Sequence, residues 1–190
     1  MTTHSIADYI WTPQDGLTGL MRQAVLVLAG TAVIAASARI QVPMWPVPMT
    51  LQTLAVLVIA LSYGRRLATV TLAAYLVQGA IGLPVFSTGG GIAYLLSPTA
   101  GYLFGFLVGA LVVGHLADRG WNRSSLATFA AMVIGSAIFY AFGASWLAVH
   151  VGADKAVALG VLPFVVGDLL KAAIAMVILP QVWALVSKVK

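Results

Sequence analysis

The chain has 190 residues, 61% of them hydrophobic and 8% charged, with a net charge of +5 and a mean hydropathy of +1.01. An ordinary soluble domain is about half apolar and about a quarter charged, and so few charges cannot cover a soluble surface of this size. Disorder, a disulfide scaffold, a nucleic-acid-binding domain and nearly every cytosolic enzyme are excluded, which leaves an integral membrane protein.

Residues 1–19 are polar and include Asp8 and Asp15, unlike a signal peptide. Ser5 to Trp11 places apolar residues at helical spacing, so this cytoplasmic tail is read either as a short interfacial helix on the inner leaflet or as unstructured. Six apolar segments follow, near 20–38, 49–63, 67–87, 99–117, 125–149 and 157–186. A bilayer core of about 30 Å needs roughly 20 helical residues per crossing, so six spans with short loops use up the chain. The second is short, at about 15 residues, and the sixth is interrupted by Pro163, Gly167 and Pro180. Pro163 suits the first turn of a helix as well as a kink.

With the N-terminus cytoplasmic, Arg22, Arg65, Arg66, Arg119, Arg123, Lys188 and Lys190 fall inside, and Arg39 and Lys155 outside. That asymmetry places both termini inside. Trp11, Trp45, Trp121, Trp146 and Trp183 fall near span ends, where amphipathic rings settle. The expected architecture is one domain, 1–190: an all-α membrane protein of six transmembrane helices in a compact bundle.

Two outer loops carry little charge. Pro43, Pro46 and Pro48 make the first stiff and non-helical. Gly89, Gly90 and Gly91 give the second a sharp turn or a close approach to a ligand. Away from the span ends only Asp168 and Lys171 are charged, at i, i+3 on one helix face. Charges at such depth are costly, so this face points into the bundle or an aqueous cavity. The pair reads either as a neutral lock on the bundle or as a polar site for a small substrate.

Thr50 and Gln52 open the second span and Gln78 lies in the third. Either glutamine suits an interhelical hydrogen bond, and either suits a ligand that both donates and accepts. Tyr94 follows the triple glycine, placed to reach down from the outer loop or to anchor at the interface. Gly101, Gly105 and Gly109, and likewise Ala32 and Ala36, recur every four residues; such faces pack within the chain or dock a partner helix. His4, His115 and His150 are scattered without carboxylate companions, so no metal site is expected. No nucleophile elbow and no P-loop is present, so no catalytic residue is assigned and the chain does not itself hydrolyse ATP by that device.

Four stretches resemble one family. Pro46 to Leu54, Gly79 to Phe86 with the glycine loop after it, Ser97 to Phe106, and Gly167-Asp168-Leu169-Leu170-Lys171 look like motifs of BioY, the biotin-specific substrate-binding component of energy-coupling-factor (ECF) transporters. They stand in the family's order over about residues 40–175. The resemblance implies a multi-pass protein of the bacterial cell membrane, six helices, and one biotin bound near the outer face as transported ligand, with no cofactor. It implies a membrane-embedded scaffold subunit carrying two ATP-binding subunits, docked by the first helix through Ala32 and Ala36. It leaves open a solitary transporter, another small vitamin as substrate, and self-association.

Under that resemblance Asp168 can accept a urea N–H of biotin and Lys171 can donate to the urea carbonyl, and which end of biotin meets this pair stays open from sequence. Gln52 and Gln78 complement the remaining polar edges, Trp45 and Phe86 wall the apolar ring, and Thr50 and Tyr94 are counted with the substrate-binding residues. Arg39 stands at the outer mouth, either to attract the carboxylate or to anchor its helix.

Overall fold

A computed structural model describes residues 5–12 and 14–187; His4, Lys188 and Lys190 lie outside them. The protein is almost entirely helical, and its elements are best understood from the polar groups that each must satisfy.

The first helix, α1 (Ile6–Ile10), starts with a capping box. The Asp8 amide donates to Ser5 Oγ at 3.2 Å and the Ser5 amide donates to Asp8 Oδ2 at 3.0 Å. One face of it packs on the bundle, while Ile10 and Trp11 are exposed. Ile6 and Ala7 are buried, Tyr9 meets the Trp183 ring edge-on at 5.1 Å, and Arg22 holds the segment against the bundle. Arg22 is itself buried, and its guanidinium donates to Asp8 Oδ1 at 2.8 Å, Ala7 O at 3.0 Å and Trp11 O at 2.8 Å. A buried guanidinium needs such acceptors, and the tail supplies them. The pair is 14 residues apart, so no local spacing announces it.

Helix α2 (Gly16–Arg39) has 24 residues, enough for about 36 Å of rise. Gly30, Thr31, Ile34, Ser37 and Ala38 face inward, while Leu20, Val25, Leu28 and Val33 are exposed to what is read as lipid. A two-residue antiparallel ribbon follows, β1 (Gln41–Val42) with β2 (Met49–Thr50), in register Gln41 opposite Thr50. The proline run forms its loop, and the Trp45–Pro46 peptide is cis.

Helix α3 (Gln52–Ala80) is continuous in hydrogen bonding but not in direction. Along a straight helix residues 52 and 75 would stand about 35 Å apart, yet Gln52 Nε2 donates to the Tyr75 hydroxyl at 2.6 Å. The reversal is at Gly64, with φ +75° and ψ 174°, a conformation open essentially to glycine alone. Residues 52–63 and 65–80 are therefore antiparallel arms. They correspond to the expected segments 49–63 and 67–87, except that the second arm ends at Ala80 and 81–87 form a turn. Asp118 Oδ2 accepts the Arg65 amide at 3.2 Å, satisfying a donor that the reversal exposes.

A 3-10 turn (Ile92–Leu96) leads into α4 (Ala100–Asp118), and a second (Trp121–Arg123) into α5 (Ser125–Val151). The glycine face of α4 packs within the chain: a Cβ on Gly101 would meet Trp146, on Gly105 Phe142 and Phe139, and on Gly109 Phe139. The last expected segment, 157–186, is divided into α6 (Ala153–Gly160) and α7 (Leu162–Val186), with Pro163 in the first turn of α7 and Pro180 inside it. Among the described residues, five stretches are long and apolar enough to cross a membrane, counting α3 once and α6 with α7 once.

The core between α2, α3, α4 and α5 is built on Ile34, Leu57, Leu72, Tyr75, Val113 and Phe139, all buried.

Gly64→Ala puts a Cβ 2.3 Å from Asp118 Oδ1 in a backbone region hostile to side chains, whereas Gly16→Ala meets the positive φ but nothing within 4 Å. Each such backbone outlier costs on the order of 1–3 kcal/mol. Thermal unfolding of the purified protein in detergent should therefore show a clearly larger loss for Gly64→Ala than for Gly16→Ala; equal losses would argue against the Asp118 contact.

Candidate functional site

A cavity of about 50 Å³ opens between β2, α3, α4, α5 and α7. Its floor is polar. Asp168 and Lys171 on α7 form an ion pair at 2.7 Å, with side chains only 6% and 13% exposed. Asp168 Oδ1 also accepts from Thr53 Oγ1 at 2.8 Å, and Oδ2 accepts from the Tyr140 hydroxyl at 2.7 Å. Lys171 Nζ donates to Asp168 Oδ1 at 2.7 Å, Thr53 Oγ1 at 2.8 Å and the Thr50 carbonyl at 2.9 Å.

All three ammonium protons are thus placed, and a carboxylate with about four lone-pair positions receives three donors. The spare capacity lies on Oδ2 of Asp168 and on the hydroxyls around it. The knot joins α3, α5, α7 and the end of β2. Neutral within itself, it tolerates its depth because each charge is hydrogen-bonded on more than one side.

The walls are aromatic: Tyr102 and Phe106 from α4, Phe139 from α5 and Phe164 from α7. Phe106 and Phe139 meet edge to face at 4.7 Å, and Tyr102 and Phe164 at 6.2 Å. Tyr102 also donates its hydroxyl to the Gly160 carbonyl, fixing the α6–α7 joint against α4. Val47, Pro48 and Met49 of the proline loop, with Ser87 and Tyr94 of the glycine loop, close the outer end. Ser87 Oγ and the Tyr94 hydroxyl are 2.7 Å apart. Beyond them a more open recess of about 310 Å³ lies between the two loops and shares Pro48, Tyr94 and Thr99 with the cavity.

Asp168, Lys171, Thr50, Gln52 and Tyr94 thus meet at one cavity. Gln52 is held from behind, since its donor Nε2 is taken by Tyr75, which in turn donates to the Val85 carbonyl at 2.9 Å. Three other expected residues are elsewhere. Gln78 does not line the cavity; its Nε2 donates to Thr31 Oγ1 at 3.2 Å, tying α3 to α2. Phe86 is fully buried behind the lining, stacked at 4.8 Å on Tyr94 and filling the space that Gly79 leaves. Trp45 is 79% exposed at the loop tip. Arg39 donates to the Pro84 carbonyl, bracing the outer end of α2 against the turn after α3. Ala32 and Ala36 are exposed on α2.

Sequence reasoning did not single out Thr53 and Tyr140. Thr53 lies one helical turn beyond Thr50, and a tyrosine near the middle of an apolar segment is an unsatisfied hydroxyl seeking a partner. Those two signals were available. The pairing with Asp168, over 115 and 28 residues, was not.

A family model described as the BioY family matches residues 5–188. Among curated proteins, the chain is 42% identical over 161 residues to the biotin transporter BioY of Thermotoga maritima, covering 83% of this chain and 94% of that protein. It is 38% identical over 158 residues to the probable biotin transporter BioY of Pyrococcus horikoshii, covering 83% and 93%. The fold is similar to a 2.1 Å crystal structure of the S-component for biotin from an ECF-type ABC transporter, with a TM-score of 0.75 over 90% of this chain and 95% of that one. At 22% identity that likeness is one of fold.

Thr53 is the hinge of the polar knot, since its hydroxyl both donates to Asp168 and accepts from Lys171. Thr53→Val strands a donor and an acceptor together and should lower stability by about 1–3 kcal/mol, while Thr53→Ser keeps the hydroxyl and should stay near the parent. Melting curves of the two variants in one detergent decide this.

Proposed function

The chain belongs to the BioY family, and from that premise we propose that it is the biotin-binding membrane subunit of an ECF-type transporter, importing biotin with a scaffold subunit and ATP-binding subunits. It is a transporter component of a bacterial cell membrane, not an enzyme.

The observation that carries the reading is the polar knot at the floor of an aromatic cavity. Biotin has a compact ring system with a urea that donates twice and accepts once, a thioether, and an apolar chain ending in a carboxylate. A urea N–H fits the open position on Asp168 Oδ2. A urea carbonyl fits Lys171, which can exchange the Thr50 carbonyl for the ligand at little change in hydrogen-bond count. Gln52 and Tyr94 are within the same lining for the remaining polar edges, and Tyr102, Phe106, Phe139 and Phe164 supply the apolar contact that Trp45 and Phe86 were expected to give. Ligand enters through the recess between the two outer loops, past Pro48 and Tyr94.

The topology follows from the reversal at Gly64. The two arms of α3 count as two passes, so α2, the arms, α4, α5 and α7 make six. Both termini are then cytoplasmic: Arg22, Arg65, Arg66, Arg119 and Arg123 gather at one end and Arg39 and Lys155 at the other. The exposed face of α2 around Ala32 and Ala36, flanked by Val25, Leu28 and Val33, is the docking surface for the scaffold. Transport then needs ATP hydrolysis in the partner, because this chain carries no nucleotide site of the P-loop kind.

Biotin should raise the melting temperature of the purified protein by mass action, and thiamine or riboflavin should not. Asp168→Asn and Lys171→Met should each weaken biotin binding by at least about tenfold, the loss expected when a hydrogen bond to a charged group is removed. Calorimetry or filter binding on folded variants measures this; parental affinity in both would overturn the site assignment.

A further inference from the structure

A second cavity, of about 140 Å³, lies between α5 and α7. Val133, Ser136 and Ala137 line it from α5, and Val165, Leu169 and Ala172 from α7. Val133, Ala137 and Leu169 are exposed there, so this compartment opens sideways toward lipid. It shares two residues with the ligand cavity, Tyr140 and Asp168. Those two side chains are the wall between the compartments.

The two are not held alike. Asp168 is fixed on Oδ1 by Lys171 and Thr53, and these are themselves fixed on α3 and β2. The Tyr140 hydroxyl has one hydrogen bond, the 2.7 Å contact to Asp168 Oδ2. Side chains on a helix lean back over the residues three and four positions earlier. For Tyr140 these are Ala137 and Ser136, both small and both lining the lateral compartment. Ala172, one turn after Asp168, is small on the facing helix. The ring therefore has empty space beside it to turn into once its single tether is released.

We propose that Tyr140 is the gate between the ligand cavity and a lateral opening along the α5–α7 seam. Tethered to Asp168 it seals the site from the bilayer; released, it joins the site to the seam. Ligand in the cavity packs against the ring from the other side and keeps it closed. Only this last step rests on the reading of the cavity as the biotin site.

The chain has no cysteine, so Ser136→Cys introduces a single thiol inside the lateral compartment and outside the ligand cavity. A charged, membrane-impermeant methanethiosulfonate reagent, added outside right-side-out vesicles, reaches that thiol only through the ligand cavity. Labelling should be slow with Tyr140 in place. It should be about tenfold faster with Tyr140→Phe, which keeps the ring and loses the tether, by the factor that a hydrogen bond to a charged group represents. Tyr140→Ala should be faster still. Fast labelling with Tyr140 intact, or an unchanged rate in Tyr140→Phe, overturns the gate, and the phenylalanine variant decides should the alanine variant fail to fold. Saturating biotin should slow labelling in Tyr140→Phe. Faster labelling in that variant with no protection by biotin upholds the gate and counts instead against biotin as the ligand.

Discussion

The structure depends on one constraint: an aspartate and a lysine placed where water is scarce. An isolated charge at that depth is costly, and an ion pair offsets its desolvation only when its remaining donors and acceptors are satisfied. Lys171 requires three acceptors, and one of them is a backbone carbonyl, that of Thr50. That carbonyl is available because the β1–β2 ribbon ends there and α3 has not yet begun. The outer ribbon, the start of α3, the middle of α5 and α7 are thus located relative to each other by the requirements of two side chains. The same arrangement leaves an unfilled acceptor position facing an aromatic cavity, which joins the stability of the fold to its capacity for a polar ligand.

The opposite end of the bundle solves a similar problem with different groups. Reversing the chain at Gly64 exposes backbone donors, and Asp118 at the end of α4 accepts one of them. Arg22 is buried nearby in the same part of the fold and draws α1 over the bundle through two carbonyls and Asp8. Arg123 then stacks at 4.7 Å on the Trp183 ring, which also meets Tyr9. Charges that serve topology by their sign serve packing by their hydrogen bonds. This end is consequently tied from α1 to α7, while the opposite end keeps two loops that meet over a cavity.

Between the ends, small residues decide how closely helices approach. The glycines of α4 admit Phe139, Phe142 and Trp146 of α5 to backbone distance, and this places Phe139 and Tyr140 on the cavity side. Gly79 does the same for Phe86, whose ring then supports Tyr94. The aromatic lining is therefore set from behind by glycines. A residue such as Phe86 can belong to a recognisable motif and still stand one layer away from the ligand space.

Much was legible in the sequence. Scarcity of charge identified a membrane protein, and the exclusion of charge from lipid singled out Asp168 and Lys171; hydropathy placed most apolar segments to within a few residues, but carried the third past its helix end at Ala80 and missed the break between α6 and α7. Those inferences rest on composition and local spacing, which a bilayer makes unusually informative because it penalises every misplaced polar group. Position at the start of the second span and after the triple glycine added Thr50, Gln52 and Tyr94, which do meet at the cavity. What sequence could not determine was partnership over distance. That Gln78 reaches Thr31, that Tyr140 and Thr53 complete the knot, that Phe86 stands behind Tyr94, and that α1 is drawn in by Arg22 all depend on how helices distant in sequence are rotated about their axes. Nothing in a local pattern fixes that rotation. It is decided by the packing of glycine faces against aromatic rings and by the geometry of two buried charges, and both exist only once the helices have come together.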